Sequence, residues 1–315
     1  MNRRISFLLF LSSLTAACGQ IGSYAAVVPA PKPYRLQPGE LLLAAVEEDI
    51  PPLHADESHF VPAEKAGLEE KDLVVGLFIG GESRAYPVRL LSLREVVNDR
   101  VGGIAIAVTW CPLCYSPVVF DRTVDGQELT FRASGYLLND NLVLADHPTD
   151  TLWSQLLGQG IKGALKGSML EVYPSTITTW SSWQKAYPDS SVLSAERAGY
   201  VGELPDPYGG YFSTGAAGLG GGGELDPRLP AKTLVIGLVV GGEEKAYPLN
   251  EIQQEKSIQD QIGDLSLNIV WDDSLQAVQI FGGSNSGVMT PIPSQLVYWF
   301  AWTAFFPDTA VYLSP

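Results

Sequence analysis

One stretch of this chain occurs twice, and the repeat constrains the fold more than any other feature of the sequence. VGLFIGGESRAYP at residues 75–87 aligns without a gap with IGLVVGGEEKAYP at 236–248, and eight of the thirteen positions are identical. Continuing this alignment without a gap pairs Trp110 with Trp271. Self-similarity at a fixed offset indicates a repeated structural unit.

A second pair of segments extends the repeat toward the C-terminus. WSSWQKAYPDSSV at 180–192 matches WFAWTAFFPDTAV at 299–311, but at a smaller offset, so the first copy contains an additional segment between Phe120 and Trp180. We therefore predict a β-rich α+β fold made of two unequal copies of a strand-strand-helix-strand-strand unit packed together. The first unit covers 49–195, a glycine-rich connector covers 196–232, and a degenerate second unit covers 233–315. No core is expected in 216–232.

Local signals predict how each unit begins. Gly80-Gly81 between two β-branched runs is typical of a tight hairpin. The spacing of apolar residues from Leu90 to Val97 predicts a short amphipathic helix, which we expect to end at Asn98-Asp99.

The first eighteen residues have the order of an export signal. Arg3 and Arg4 precede an apolar run at 5–14, and Thr-Ala-Ala comes directly before Cys18. The run is short of the roughly 20 apolar residues that span a bilayer, so residues 1–17 are predicted to be a signal peptide. The residues around Cys18 resemble a lipobox, in which the cysteine is lipidated. The alternative is an ordinary signal peptide followed by a chance cysteine.

Lipidation would place the protein in the cell envelope. Proline and small residues dominate 18–48, a composition that predicts a flexible tether. Gly19 stands where lipoproteins kept at an inner membrane have aspartate, so in a host with two membranes the outer one, facing the periplasm, is favoured. The membrane, through the lipid anchor, is the first predicted partner.

The charge of the mature chain excludes one class of partner. Removing residues 1–17 takes away two arginines and leaves 18 basic against 35 acidic side chains, a net charge of −17. A chain this acidic repels polyphosphate, and no cluster of lysine and arginine offsets the field. Nucleic acid is therefore not expected as a partner.

Cys111 and Cys114, in the motif CPLC, are the candidate catalytic or metal-binding residues. Two thiols at this spacing can exchange reversibly with a disulfide or hold a soft metal ion. The third possibility is a structural disulfide, which an oxidising compartment allows. No histidine lies at ligand spacing from the pair, so copper(I) is the only cofactor the sequence suggests. The second copy has Asp272 and Leu275 at these positions.

The residues present only in the first copy are rich in polar side chains beside apolar runs. Such a segment can line a pocket for a small polar ligand, and a protein partner is the other possibility. Each residue taken singly is more simply explained as a turn or core residue. The candidate binding residues of this segment are Ser134, Asn139, Asn141, Asp146, Trp153 and Gln155.

Four segments together resemble an uncharacterised bacterial family, DUF 3179, a domain of unknown function. They are RAYPVRLLSLREVVND, VTWCPLCYSPVVFDR, SGYLLNDNLVLAD and TLWSQLLGQGIKG, and the resemblance runs from about residue 50 to the C-terminus. Arg94 and Glu95, within the first segment, are the remaining candidate binding residues. Members of the family usually have histidine where this chain has Arg94, which weakens any metal or acid/base role carried over from relatives.

Two hypotheses of different class follow. The first is a membrane-tethered exported protein whose CPLC motif performs thiol redox exchange or binds copper(I). The second is a non-catalytic binding or scaffold module in which Cys111–Cys114 is a structural disulfide. Hydrolysis is disfavoured because the sequence places no histidine beside Ser134 and Asp146, and no phosphate-binding glycine loop precedes a helix.

Overall fold

The computed structural model describes residues 33–46, 49–219, 225–283 and 289–314. Strands make up 44% of the structure and helices 14%, so the protein is β-rich with few helices, as predicted. In the described ranges, none of the helices has the length and apolar character needed to cross a bilayer. The predicted signal peptide and Cys18 lie outside these ranges.

The first part of the chain contains most of the strands, together with two short 3-10 helices at Glu57–His59 and Ala63–Lys65. In chain order, its elements are β1 (Leu41–Leu43), β2 (Leu53–His54), β3 (Phe60–Pro62), β4 (Leu73–Ile79), β5 (Glu82–Pro87), α1 (Val88–Arg94), β6 (Val96–Val101), β7 (Ile104–Cys111), β8 (Ser116–Asp121), β9 (Thr123–Val124), β10 (Gln127–Glu128), β11 (Thr130–Leu138), β12 (Asn141–His147), β13 (Leu152–Ser154), β14 (Gln159–Lys162), β15 (Val172–Tyr173), β16 (Thr176–Thr179), α2 (Trp180–Ala186) and β17 (Ser191–Leu193).

The remaining elements begin with a single helical turn and continue as strands and helices in the same kind of order. They are α3 (Gly209–Phe212), β18 (Leu234–Val240), β19 (Glu243–Pro248), α4 (Leu249–Glu255), β20 (Ser257–Ile262), β21 (Leu265–Asp272), β22 (Ala277–Gly283), β23 (Thr290–Pro291), β24 (Gln295–Tyr298), α5 (Trp299–Phe305) and β25 (Ala310–Val311).

Five larger sheets are arranged like the blades of a five-bladed propeller in the described part of the chain. Their strand orders are β1-β11-β12-β13-β14, β15-β8-β7-β6-β2, β16-β4-β5-β17-β3, β24-β18-β19-β25 and β20-β21-β22-β23. The sequence did not predict this arrangement, because the strands of one blade come from separate stretches of the chain and the blades differ in size.

The register of the paired strands follows the alignment found in the sequence. Val74 lies opposite Pro87 in the β4–β5 hairpin, and the residues aligned with them, Val235 and Pro248, lie opposite each other in the β18–β19 hairpin. The predicted Gly80-Gly81 turn is confirmed, since both glycines have positive φ, 60° and 88°, as a two-residue hairpin turn requires.

Two glycines allow a tryptophan to pack on the sheet backbone. A Cβ atom at Gly76 would lie 2.2 Å from the ring of Trp183, and one at Gly237 would lie 2.2 Å from the ring of Trp302. Both tryptophans are buried, and they belong to the WSSW and WFAW segments of the repeat. Glycine is therefore required at these two strand positions for steric reasons.

The predicted end of the first helix is wrong. Helix α1 ends at Arg94, and Glu95 caps it in the left-handed conformation with φ 55°. Val96 and Val97, which we assigned to the helix, begin strand β6 and pair with β7. Valine is favoured in strands, and pairing with a buried neighbouring strand outweighs the helical spacing of the apolar residues.

Part of the predicted tether is also structured. Residues 41–43 form the edge strand β1, in which Leu41 lies opposite Leu138 of β11. The amide of Tyr34 donates to the side chain of Gln159 at 2.6 Å. The chain reaches the open edge of β11 and pairs with it, which a composition rich in proline and small residues does not reveal.

The segment between Phe120 and Trp180, which the sequence predicts to be extra in the first copy, supplies most of one blade. Strands β11 to β14 form most of one sheet, and Phe131 and Trp153 pack edge to face in its core with ring centroids 5.9 Å apart. Asn139 and Asp140 form the two-residue turn between β11 and β12, with φ values of 52° and 61°. This turn brings Asp140 to the two cysteines.

Candidate functional site

The cysteines lie in the turn between β7 and β8. Cys111 is the last residue of β7, and the amide of Tyr115 donates to the carbonyl of Pro112 at 3.3 Å. Tyr115 has φ 54°. The motif therefore follows a buried strand and does not open a helix.

Both cysteines are free thiols buried in the protein, at 1% and 0% exposure. Each sulfur points to the backbone carbonyl of Asp140, at 3.8 Å from Cys111 and 3.2 Å from Cys114. Burial raises the pKa of Cys114 well above its usual value, and the adjacent Cys111 raises it further. Cys114 is therefore a neutral thiol at neutral pH.

A network of buried polar side chains lies beside Cys114. Gln155 accepts from Asn141 at 2.8 Å and from Ser116 at 3.1 Å, and it donates to Thr109 at 3.1 Å. A hydrogen bond from Asn141 favours the ionised form of Cys114 and lowers its pKa, against the larger effect of burial. Protein groups supply the hydrogen-bond partners of these side-chain amides. The amides therefore hold the cysteine turn in place and remain buried beside the dithiol.

Residues 208–219 cover the turn. The Tyr211 hydroxyl donates to the carbonyl of Leu113 at 2.7 Å and accepts from the amide of Gly218 at 3.0 Å. The amide of Leu219 donates to the carboxylate of Asp140 at 3.1 Å. These residues belong to the predicted glycine-rich connector, and the aromatic side chains of Tyr208 and Tyr211 pack on the cysteine turn.

Glu95 is a buried carboxyl group that forms a hydrogen bond with Tyr208 of this segment. It is 8% exposed, and burial raises its pKa to about 7, while a hydrogen bond from Tyr208 lowers it. Burial raises the pKa of Tyr208, and the charges of Glu95 and Cys111 raise it further. Tyr208 thus interacts with both the carboxyl and the thiol pair.

Arg94 lies next to Glu95 at the end of α1. Its guanidinium lies over the ring of Tyr200, 4.9 Å from the centroid, and donates to the carbonyls of Pro51 and Ala198 at 3.4 Å. Its Nε is buried and has no hydrogen-bond partner among the residues that the structure describes. Arg94 therefore packs against residues 198–200, which precede the segment 208–219 that covers the cysteine turn.

The other predicted binding residues do not converge on a pocket with the cysteines. Asp146 accepts from the Trp153 indole at 2.8 Å, and Ser134 donates to a backbone carbonyl of β12 at 2.6 Å. Asn139 is partly buried, and its side-chain amide donates to the carbonyl of Ala304 at 3.1 Å. Asp146 and Ser134 therefore bond within the blade, whereas Asn139 joins its turn to helix α5. The explanation of these residues as turn and core residues fits them.

Sequence reasoning missed the residues that enclose the dithiol. Tyr208 and Tyr211 belong to DPYGGYF, an aromatic group within a glycine-rich stretch, and this was the signal that could have indicated a packed segment. Among the described residues, no group of three or more His, Cys, Asp or Glu side chains could hold a metal ion.

The fold and the site define a β-rich protein with a buried dithiol enclosed by tyrosines. Residues 47–309 match a family of proteins of unknown function, DUF3179, so the chain belongs to that family. No curated protein and no solved structure matches the chain significantly.

Proposed function

We propose that this is an exported, membrane-tethered protein that binds copper(I) through Cys111 and Cys114. The observation that carries the proposal is the convergence of two reduced, buried sulfurs on one carbonyl oxygen. Soft thiolate ligands select copper(I) over hard cations, and two of them suffice for an ion of this kind. A metal that needs four protein ligands is not provided for by the described residues.

The second half of the chain supports a functional role for the cysteines. At the position equivalent to Cys111, Asp272 accepts from the amides of Ser274 and Leu275 at 2.8 Å and 3.0 Å. Gln276 has φ 51°, like Tyr115 in the first half. The same turn therefore forms without sulfur, so its conformation does not explain why the first half has two thiols.

Burial of the thiols sets how metal binding would depend on pH. The raised pKa of Cys114 means that the sulfur keeps its proton until a cation replaces it. Binding of copper(I) by two thiolates would release protons, and affinity would increase with pH. Glu95, with a pKa of about 7, is placed to accept a proton by way of Tyr208.

Thiol–disulfide exchange is the second candidate, and the contact between Cys111 and Cys114 favours it. In that reaction two thiols would lose two electrons and two protons to a partner disulfide, which would become two thiols. Exchange needs a sulfur that the partner can reach, and a low thiol pKa. Full burial and a raised pKa are less suited to exchange than to holding an ion away from water.

Competition for copper(I) with a coloured chelator under reducing conditions tests the proposal. The mature protein should remove one copper(I) ion per chain from the chelator, and Cys111→Ser and Cys114→Ser should each abolish this. Cys18→Ser is the matched control, since it removes a cysteine and leaves the pair intact. Retention of copper by the doubly substituted protein, or none by the unchanged protein, would refute the assignment.

We also propose that the chain is two unequal copies of one unit packed together. The contacts between the halves support this because they are reciprocal: the Tyr298 amide donates to the Cys114 carbonyl at 2.9 Å, and the Thr178 hydroxyl donates to the Leu275 carbonyl. Leu275 is the residue that the alignment of the two copies pairs with Cys114. The copy with the cysteines and the extra blade would carry the chemistry.

A further inference from the structure

Residues 34–45, which we call the N-terminal strap, pack along the blade formed by β11 to β14. Leu41 lies opposite Leu138 in the antiparallel pairing of β1 with β11, and the amide of Ala44 donates to the carbonyl of Gly135 at 2.9 Å. The side chain of Leu41 packs on a buried cluster of this blade. Leu138 is the last residue of β11, so the strap reaches the start of the turn between β11 and β12.

Tyr34 holds the first residues of the strap where this blade meets helix α5. Its amide donates to the side chain of Gln159 at 2.6 Å, and the centroid of its ring lies 6.3 Å from that of Phe305. Its hydroxyl accepts a hydrogen bond from Asn139, whose side-chain amide also donates to the carbonyl of Ala304 at 3.1 Å. Tyr34 therefore contacts the blade, its turn and the second half of the chain.

The turn that the strap contacts is the turn that faces the two thiols. Asn139 and Asp140 are its central residues, and the carbonyl of Asp140 lies 3.2 Å from the Cys114 sulfur and 3.8 Å from the Cys111 sulfur. A thiol that donates to a carbonyl is stabilised in its neutral form, because ionisation removes the donor. Burial also raises the pKa of Cys114 well above its usual value. The position of this turn therefore affects both the exposure and the protonation of the dithiol.

We propose that the N-terminal strap is a positioning element of the dithiol site, and that its release from the blade opens the site. Tyr34 and Leu41 are the positioning residues, and they act through the turn between β11 and β12. Only the three residues of β1 pair with the sheet, at its edge, so the strap can separate without unfolding the strands behind it.

The strap begins 16 residues after Cys18. The part of the chain that opens the site is therefore the part that leads from the proposed lipid anchor. An effect of the strap on copper(I) rests on the proposed function, whereas its effect on thiol reactivity does not.

Alkylation of the reduced mature protein with iodoacetamide tests the proposal, in a Cys18→Ser background that leaves only the two thiols of the site. Leu41→Ala and Leu42→Ala are a matched pair, since neighbouring side chains point to opposite faces of a strand. Leu41 packs on the blade, whereas Leu42 is 49% exposed. Leu41→Ala and Tyr34→Ala should each raise the alkylation rate about ten-fold, because reaction of a buried thiol requires local opening. Leu42→Ala should leave the rate unchanged.

Thiolate absorbance measured against pH separates a positioning role from a general loss of stability. In folded Leu41→Ala and Tyr34→Ala the thiol pKa should fall, because the sulfur loses its carbonyl acceptor and gains water. A variant that is only less stable keeps the thiol pKa of the unchanged protein. Circular dichroism and urea unfolding verify that each variant folds, and Tyr34→Phe, which removes only the hydroxyl, should show a smaller shift in the same direction.

Competition with the chelator adds a readout on copper(I). Leu41→Ala should still bind one ion per chain and should lose it to the chelator faster than Leu42→Ala does. If the unchanged protein binds no copper(I), the proposed function fails, and alkylation still decides the role of the strap. Equal alkylation rates in Leu41→Ala and Leu42→Ala, or an unchanged thiol pKa in the folded Tyr34 variants, would overturn the proposal.

Discussion

Substituting alanine for Gly237 should lower the free energy of unfolding by about 1–3 kcal/mol, the usual cost of overpacking a core. The added Cβ would lie 2.2 Å from the Trp302 ring, where carbon atoms prefer separations of about 3.5–4.0 Å. The ring cannot move freely, because it is buried and its indole donates to Thr309 at 2.9 Å. The backbone φ of Gly237 is not in the left-handed region, so the cost is steric.

Gly76 should behave alike, since its Cβ would lie 2.2 Å from the Trp183 ring. Urea unfolding followed by tryptophan fluorescence measures both variants. Gly210→Ala is the matched control: nothing lies within 4 Å of its Cβ and its φ is not positive, so no loss of stability is expected. If Gly237→Ala is as stable as Gly210→Ala, the close packing of tryptophan on glycine is wrong.

Three further perturbations test other parts of the account. Cys18→Ser should release the protein from membranes in fractionation after a salt wash, and a variant that still sediments would contradict lipidation. Glu95 has a folded pKa of about 7, above its unfolded value of 4.5, so folding takes up a proton and its stabilisation is present below pH 4.5 and lost as the pH rises through 7. The unchanged protein should lose roughly 3 kcal/mol more than Glu95→Gln between pH 4.5 and 8 in pH-dependent unfolding; parallel curves would refute this. Asp99→Asn removes the buried carboxylate that pairs with the buried guanidinium of Arg84, so it should cost about 3–5 kcal/mol in urea unfolding. The exposed carboxylates of Glu57 and Glu82 remain near Arg84. The more exposed Asp260→Asn should cost less, and equal losses would argue against burial as the cause.

The sequence predicted the elements that short-range patterns control. The β4–β5 hairpin followed from Gly80-Gly81 between two β-branched runs. The helix end at Arg94 could not be predicted, because Glu95 adopts a left-handed conformation without being glycine or asparagine. Pairing of β6 with β7 holds it there.

The candidate site was predicted only in its centre. Cys111 and Cys114 were identified by their spacing, and Asn141 and Gln155 lie beside them in the structure. Tyr208 and Tyr211 come from a distant segment of the chain, and only tertiary packing brings them to the dithiol. The other polar residues of the extra blade satisfy one another, which sequence composition cannot distinguish from a pocket.

X-ray absorption at the copper edge tests the central proposal most directly. The reduced mature protein, loaded with one equivalent of copper(I) and separated from free metal, should show sulfur as its only ligand atoms, with two per ion. The proposal assigns those atoms to Cys111 and Cys114, so Cys114→Ser should not retain the ion through the same separation. Copper bound only by nitrogen or oxygen atoms, or an unchanged spectrum in Cys114→Ser, would contradict a dithiol site for copper(I).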